Sequence, residues 1–233
     1  MKTKIIRKDM INRRLFLSLA GGTVGVVALE LMFPGHRLSL ASETIFPESS
    51  CGGGSKMNGK LLIAYASRYG STGGVAEAIS KELCSNGSSV DLRLAKDVTD
   101  LSSYRAVIVG SPIYRGKWMS DAVDFVEENS GILSKVPVAY FVVCMTMRDP
   151  TEKNRQETLE YMESVRNSVP QVKPVKIGLF AGALDYSKIS WLMRKILKSK
   201  GLPEGDFRDW KTIRAWASGL NEIQSMADSL RLA

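Results

Sequence analysis

The chain has 233 residues, of which 44% are hydrophobic, and its formal net charge is +8. This length and composition exclude a chain that is disordered throughout and allow one substantial hydrophobic core. Residues 1–41 carry seven Lys and Arg residues against Asp9 and Glu30, a net charge of +5 that leaves +3 for the remainder. Because the remainder is nearly balanced, the charge does not indicate a nucleic-acid partner.

The first forty residues run from basic to apolar to polar, which is the order typical of an export signal. Within them, Asn12-Arg13-Arg14-Leu15-Phe16-Leu17 resembles a twin-arginine signal. The apolar stretch from Leu15 to Phe33 is interrupted by glycines and Glu30, and this moderate hydrophobicity suits that route. We expect export to the periplasm or to the outer face of the cytoplasmic membrane. An uncleaved anchor is the alternative, because the stretch is just long enough to span a bilayer.

A cleavage site and a spacer follow the apolar stretch. Ser39-Leu40-Ala41 has small residues where a signal peptidase reads, so residues 1–41 are predicted to be the leader. Gly52-Gly53-Gly54-Ser55 is typical of a flexible spacer, and we predict a linker over residues 42–59 and a folded domain over residues 60–230. No apolar residue stands where a lipobox would need one before Cys51, so lipidation is not expected.

The cysteines and the histidine exclude several kinds of site. Cys51, Cys84 and Cys144 are not at the spacing of a metal knuckle or a redox pair, and an odd, scattered set does not indicate a disulfide framework. The single histidine, His36, lies in the leader. We therefore predict no metal site and no catalytic side chain of the Ser-His-Asp or Cys-His type.

Short apolar runs rich in Val and Ile alternate with amphipathic stretches after the spacer, which is typical of βαβ units. This pattern predicts an α/β fold, a three-layer sandwich with a five-stranded parallel sheet in the order 2-1-3-4-5, whose ligands bind beyond the carboxyl ends of the strands. The predicted strands are Lys60–Ala66, Ser89–Leu94, Ala106–Ser111, Val136–Cys144 and Val175–Gly182. The predicted helices are Thr72–Ser85, Lys117–Asn129, Thr151–Asn167, Ser187–Lys200 and Trp210–Leu230.

The loop after the first strand has a composition that suits a phosphate. It runs through Ser67, Arg68, Tyr69, Gly70, Ser71 and Thr72 into a helix, for which Ser71 or Thr72 is the predicted N-cap and Gly87 the predicted C-cap. Helix N-H groups and hydroxyls favour an anion, and the absence of a Walker lysine and of GxGxxG favours a monophosphate over ATP or a dinucleotide. The alternative is an ordinary strand-to-helix turn.

This loop resembles that of the flavodoxin family, in which hydroxyl residues around a glycine hold the phosphate of FMN. The resemblance continues after the third strand, in Ser111, Pro112, Ile113, Tyr114, Arg115 and Gly116. It implies that Tyr114 stacks on the flavin, whereas Trp118 either stacks there or covers the end of the sheet. It further implies flavin contacts after the fourth strand, at Cys144, Met145 and Thr146, although such residues are more often plain core.

The carboxyl third is similar to the quinone-dependent protoporphyrinogen dehydrogenases of bacteria, in the stretches Phe180–Tyr186, Trp191–Lys195 and Asp206–Trp210. This resemblance implies an FMN oxidoreductase that passes hydride or electrons from a reduced substrate to a quinone. A haem precursor is made inside the cell, so export puts the substrate in question. The alternatives are an electron-transfer module that docks a protein redox partner without a substrate of its own, and a binding domain that has lost FMN.

The stretch from Ile189 to Lys200 combines apolar and cationic residues in the pattern of an amphipathic helix. Such a helix either associates with a membrane surface or packs its apolar face on the core with its cationic face in solvent. The sequence leaves both interpretations open.

Overall fold

The computed structural model describes residue 44 and residues 46–52, 59–220 and 223. The predicted leader over residues 1–41 lies outside the described residues. So do residues 53–58 of the predicted linker and the predicted end of the last helix near Leu230.

The described residues form a central sheet in which five parallel strands run in the order β3-β2-β4-β6-β7. This is the predicted order 2-1-3-4-5. Strand β1 adds to the edge antiparallel to β3, β5 pairs antiparallel with β4, and β8 and β9 form a separate antiparallel pair. The strands are β1 (Ser49–Cys51), β2 (Lys60–Tyr65), β3 (Val90–Leu94), β4 (Tyr104–Tyr114), β5 (Lys117–Trp118), β6 (Val138–Val143), β7 (Lys176–Phe180), β8 (Ala183–Leu184) and β9 (Gly205–Asp206).

Helices cover both faces of the sheet. They are α1 (Ser71–Ser85), α2 (Ser120–Glu128), α3 (Ser130–Leu133), α4 (Glu152–Glu160), α5 (Glu163–Ser168), α6 (Trp191–Ser199) and α7 (Trp210–Ser218). Alternate residues of each strand point to opposite faces, so Ile63 packs in one core with α1 and α7, while Leu62 packs in the other with α2 and α5. All six residues of β6 are buried, as expected for a strand covered on both faces.

Several element boundaries differ from the predicted ones for local reasons. The helix predicted from Lys117 begins at Ser120, because Lys117–Trp118 forms a hairpin with β4. The helix predicted from Thr151 is divided into α4 and α5. The C-cap prediction is confirmed, since Gly87 has φ +87° and its N-H donates to the carbonyl of Cys84.

A disulfide joins Cys51 to Cys84, with the two Cα atoms 6.1 Å apart. The sequence interpretation that found no disulfide framework is therefore wrong, because it weighed spacing along the chain and not the contact that β1 makes beside α1. Ser49–Cys51 also belongs to the sheet, although it lies within the segment predicted to be a linker. Upstream of it, the backbone oxygen of Pro47 accepts a hydrogen bond of 2.9 Å from the hydroxyl of buried Tyr65.

Within the part of the chain that the structure describes, no helix has the length and apolar character needed to cross a membrane.

Candidate functional site

The first loop leads directly from β2 into the N-terminus of α1. Gly70 precedes the helix in the left-handed region at φ +84°, which L side chains rarely adopt, and no side chain caps the helix. The predicted N-cap at Ser71 or Thr72 is therefore wrong, since both residues already lie in the first turn. Without a side-chain cap, the first-turn N-H groups and the positive end of the helix dipole can face an anion.

Three hydroxyls surround this helix end. The Ser67 hydroxyl is buried and has no hydrogen-bond partner in the described part of the chain. Thr72 is buried as well, and the Ser71 oxygen accepts a hydrogen bond of 2.7 Å from the N-H of Ala183. A buried hydroxyl without a hydrogen-bond partner is costly, so Ser67 indicates a ligand that accepts a hydrogen bond from it.

The second loop is a two-residue hairpin turn between β4 and β5. Arg115 has φ +54° and Gly116 has φ +77°, the pair of left-handed residues that a type I′ turn requires. Arg115 is the only described residue other than glycine with a positive φ. Asparagine or glycine is favoured at such a position, and strained backbone of this kind is concentrated at functional sites.

Two guanidinium groups flank the ring of Tyr114. The Cζ of Arg68 lies 4.6 Å from the ring centroid and that of Arg115 lies 5.4 Å from it. Arg68 also donates from Nε to the hydroxyl of Tyr69, and this hydrogen bond raises the pKa of the guanidinium above its usual range. The first and second loops therefore meet at Tyr114.

Two residues of the strands that flank this turn face inward, one in β4 and one in β5. The Ser111 hydroxyl is fully buried and accepts a hydrogen bond of 3.0 Å from the N-H of Met119, so it holds the hairpin in place. Trp118 is buried edge-on against Tyr140, with ring centroids 5.1 Å apart. Trp118 was predicted either to stack on the flavin or to cover the end of the sheet. In the structure it packs against the sheet.

The third loop places sulfur and hydroxyl groups beside the other two loops. The thiol of buried Cys144 lies 3.6 Å from the hydroxyl of Thr158, and burial raises its pKa. The hydroxyl of Tyr161, between α4 and α5, donates a hydrogen bond to the carboxylate of Glu157, and this hydrogen bond raises the pKa of Tyr161. A thiol with a raised pKa is a poor nucleophile, so the burial of Cys144 does not favour a covalent role for it in this site.

The three loops line one cavity of about 680 Å³ at the carboxyl edge of the sheet. It is within the size range of cofactor sites. Thirteen of the fifteen predicted site residues line it, namely Ser67, Arg68, Tyr69, Ser71, Thr72, Pro112, Ile113, Tyr114, Arg115, Gly116, Cys144, Met145 and Thr146. Gly70 lines an adjoining cavity of about 550 Å³, and Ser111 lines neither.

The cavity also has a wall that the sequence did not predict. It is contributed by the last residue of β6, by Tyr161 and by the segments after β7. The added residues are Val143, Tyr161, Gly182, Ala183, Leu184, Ile189, Met193, Ile196, Leu197, Lys200 and Leu202. The apolar side of the amphipathic stretch after Ile189 was the one signal for this wall. Among the described residues, no Asp or Glu lines the cavity, whereas Arg68, Arg115 and Lys200 do, so the cavity favours an anionic ligand.

No group of three or more His, Cys, Asp or Glu residues among the described residues could hold a metal ion. His36 lies outside the described residues.

Two curated relatives and one solved structure illustrate what the chain is similar to. Protoporphyrinogen IX dehydrogenase [quinone] of Escherichia coli strain K12 is 26% identical over 180 residues, which covers 72% of this chain and 97% of that one. The enzyme of the same name from Leishmania major is 27% identical over 176 residues, 68% of this chain and 73% of that one. Oxidised Flavodoxin 2 from Bacillus cereus is 19% identical with a TM-score of 0.44, covering 70% of this chain and 98% of that one.

The family model described as Flavodoxin domain matches residues 62–206. This range begins in β2 and ends in β9, so it includes the whole parallel sheet except the first two residues of β2, together with the three loops that line the cavity. The chain therefore belongs to the flavodoxin domain family.

Proposed function

We propose that this chain is an FMN-dependent oxidoreductase that passes hydride or electrons from a reduced, protoporphyrinogen-like substrate to a quinone. The observation that carries the cofactor is the buried Ser67 hydroxyl, which has no partner in the described part of the chain and lies beside a helix N-terminus without a side-chain cap. A phosphate would accept hydrogen bonds from the hydroxyls of Ser67 and Thr72 and from the first-turn N-H groups. The residues present therefore fit the FMN phosphate.

The rest of the cavity suits a flat, largely apolar ring system. Tyr114 offers an aromatic face, and Pro112, Ile113 and Met145 offer apolar surface. FMN, when bound, supplies the redox chemistry by accepting hydride or electrons and returning them to an acceptor. The protein's own residues bind the phosphate, orient the ring and exclude water from it.

An enzymatic role, as opposed to that of an electron-transfer module, is supported by the size and charge of the cavity. Beyond the three loops it continues along Met193, Ile196 and Leu197, which provides apolar space for a substrate. Three cations, Arg68, Arg115 and Lys200, line the cavity, and no carboxylate among the described residues does, which suits a substrate with acidic groups. The names of the curated relatives support protoporphyrinogen and quinone as the first compounds to assay.

The cofactor is tested by spectroscopy and by one substitution. Purified protein titrated with FMN should show flavin absorbance bands that remain after gel filtration. Ser67→Ala should lower FMN affinity about tenfold, yet it should leave the stability of the FMN-free protein within about 0.5 kcal/mol, because no hydrogen bond to another described residue is lost. Unchanged FMN affinity would show that the phosphate is bound elsewhere.

The reaction is tested under anaerobic conditions with protoporphyrinogen and menaquinone. Turnover above the flavin-free background supports the dehydrogenase. If the protein exchanges electrons with a reduced flavodoxin partner but does not turn over protoporphyrinogen, it is an electron-transfer module.

We also propose export by the twin-arginine route, which moves folded proteins and so retains a cofactor that is not covalently bound. The disulfide between Cys51 and Cys84 supports this proposal, because disulfides persist in oxidising compartments. Changing Arg13 and Arg14 to lysine should leave the protein in the cytoplasm with both thiols open to alkylation. Continued export of an oxidised protein would contradict the proposed route.

A further inference from the structure

Helix α6, Trp191–Ser199, exposes an apolar surface. Trp191 is 75% exposed, Leu192 is 54% exposed and Ile196 is 40% exposed. No residue of the helix is buried, so its apolar side does not pack as core. Only two other large hydrophobic residues of the described chain are exposed, Ile132 and Val175, and each stands alone. Grouped exposure of a Trp and two aliphatic residues marks an interaction surface.

The same segment is strongly cationic. Residues 187–203 contain five Lys or Arg residues and no Asp or Glu: Lys188, Arg194, Lys195, Lys198 and Lys200. One of them, Lys188, pairs with Asp185 at 3.8 Å, and another, Lys198, lies over the Tyr186 ring at 5.1 Å. Lys195 is exposed on the helix. Apolar and cationic groups on one exposed helix are complementary to a surface that is both negatively charged and apolar.

The opposite side of α6 belongs to the main cavity. Met193 and Leu197 line it, as does Lys200, the residue after the helix. Ile196 is exposed and also lines the cavity, so it lies between the two sides and the outer apolar surface consists mainly of Trp191 and Leu192. Helix α6 therefore lies between the cavity and the exposed surface of the protein. A bilayer that lay against the outer side of α6 would bring a dissolved quinone close to the wall of the cavity.

We propose that α6 docks on an anionic lipid bilayer. Trp191 and Leu192 enter the interfacial region, where a Trp ring is favoured, and Lys195 with the neighbouring cations contacts the phosphate headgroups. The bilayer is preferred to a second copy of this chain, because two copies of a helix with no acidic residue would repel each other. Docking goes beyond the proposed function, since it requires neither FMN nor substrate.

The experiment uses the full chain with vesicles of phosphatidylcholine, alone or mixed with phosphatidylglycerol, followed by co-sedimentation. The variants are Trp191→Gln with Leu192→Gln, and separately Lys195→Glu. Their matched controls are Val175→Gln, an exposed apolar residue away from α6, and Lys135→Glu, an exposed cation elsewhere. Circular dichroism shows that each variant folds, which is expected because none of these side chains is buried.

The α6 variants should bind mixed vesicles at least about tenfold more weakly than the controls, and added salt should weaken wild-type binding further. Trp191 fluorescence, taken as the difference between wild type and Trp191→Phe, should shift to the blue on mixed vesicles. Equal binding by all variants, or an unshifted Trp191, would overturn the proposal. So would a dimer in which Trp191 is shielded without lipid. The result does not depend on FMN, so loss of docking and loss of the proposed redox function can be told apart.

Discussion

The hydroxyl oxygen of Ser71 accepts a hydrogen bond of 2.7 Å from the backbone N-H of Ala183, a residue 112 positions further along the chain. This contact joins the first loop to the segment after β7. Gly182 lies so close that a Cβ atom added there would stand 3.1 Å from the same oxygen. Because Ser71 accepts in this bond, its own proton is available for donation into the cavity.

We predict that Ser71→Ala weakens both the loop and the cofactor site. Loss of the acceptor should cost about 1 kcal/mol of unfolding free energy, and loss of the donor should lower FMN affinity about tenfold. Urea unfolding and flavin fluorescence titration measure the two effects. Ser85→Ala, at the other end of α1, is the control and should leave FMN affinity unchanged. If Ser71→Ala binds FMN as the wild type does, Ser71 is not a phosphate ligand.

The parallel sheet could be predicted from the sequence because its strands are continuous apolar runs, as in Val138–Val143. The three loops could be predicted for the same reason, since each follows such a run at the carboxyl edge. Ser111 was predicted to line the site, but alternation along β4 turns its side chain inward and it does not line the cavity, because a motif does not indicate which way a side chain points. The contact between Ser71 and Ala183 had no local signal at all.

The sequence also did not indicate that Ser49–Cys51 forms a strand or that the apolar residues of α6 are exposed. Ser49–Cys51 adjoins a glycine-rich stretch that resembles a linker, yet it pairs with β3 and is tied to α1 by the disulfide. The pattern of α6 is more typical of a core helix with one solvated face than of a helix that lies on a membrane surface. Only the exposure of Trp191 distinguishes the two.

We predict that Arg115 increases the affinity for FMN but lowers the free energy of unfolding. Replacing it with asparagine, which tolerates the left-handed region, should raise the unfolding free energy by about 0.5–1 kcal/mol. The same change removes a cation from the cavity wall and should lower FMN affinity by up to about fivefold. Thermal unfolding and FMN titration measure these effects. Arg115→Lys keeps the charge and the backbone strain, so it should alter stability little; a less stable asparagine variant would contradict the prediction.

The disulfide is predicted to stabilise the domain by restricting its unfolded state. Cys51 and Cys84 are 33 residues apart, and a closed loop of that size contributes about 3–4 kcal/mol. Reduction should lower the urea midpoint of the wild type by a corresponding amount. The double variant Cys51→Ala with Cys84→Ala should be destabilised to a similar extent and should not respond to a reducing agent. The double variant retains Cys144. If a reducing agent still lowers its urea midpoint, the effect of reduction is due to Cys144 and not to the disulfide.

Asp91 provides a pH-dependent contribution far from the cavity. It lies at the amino end of β3, where its carboxylate accepts hydrogen bonds from Lys60 at 3.2 Å and from Tyr104 at 2.9 Å. Burial raises its pKa, but the hydrogen bonds from Ser50, Tyr104 and Lys60 outweigh burial and hold the pKa below its usual value. Burial also raises the pKa of Tyr104 to about 12, so its hydroxyl keeps its proton throughout the acidic and neutral range.

The charge of Asp91 makes the stability of the fold depend on pH. Because the pKa of Asp91 is lower in the folded state than in the unfolded state, the carboxylate stabilises the protein above the unfolded value of about 3.9. That stabilisation is lost as the pH falls through the folded value. Asp91→Asn should therefore cost about 1–3 kcal/mol at neutral pH, and its difference from wild type should shrink below about pH 4. Urea unfolding measured across this pH range checks both expectations.

The control for Asp91 is Asp124→Asn, which changes an exposed carboxylate and should alter stability little. FMN affinity should be unchanged in both variants, because Asp91 lies at the edge of the sheet opposite the three loops. A stability difference for Asp91→Asn that stays constant down to about pH 3 would mean that its hydrogen bonds do not depend on the charge of the carboxylate. A loss of FMN affinity would mean that the two ends of the sheet are energetically coupled.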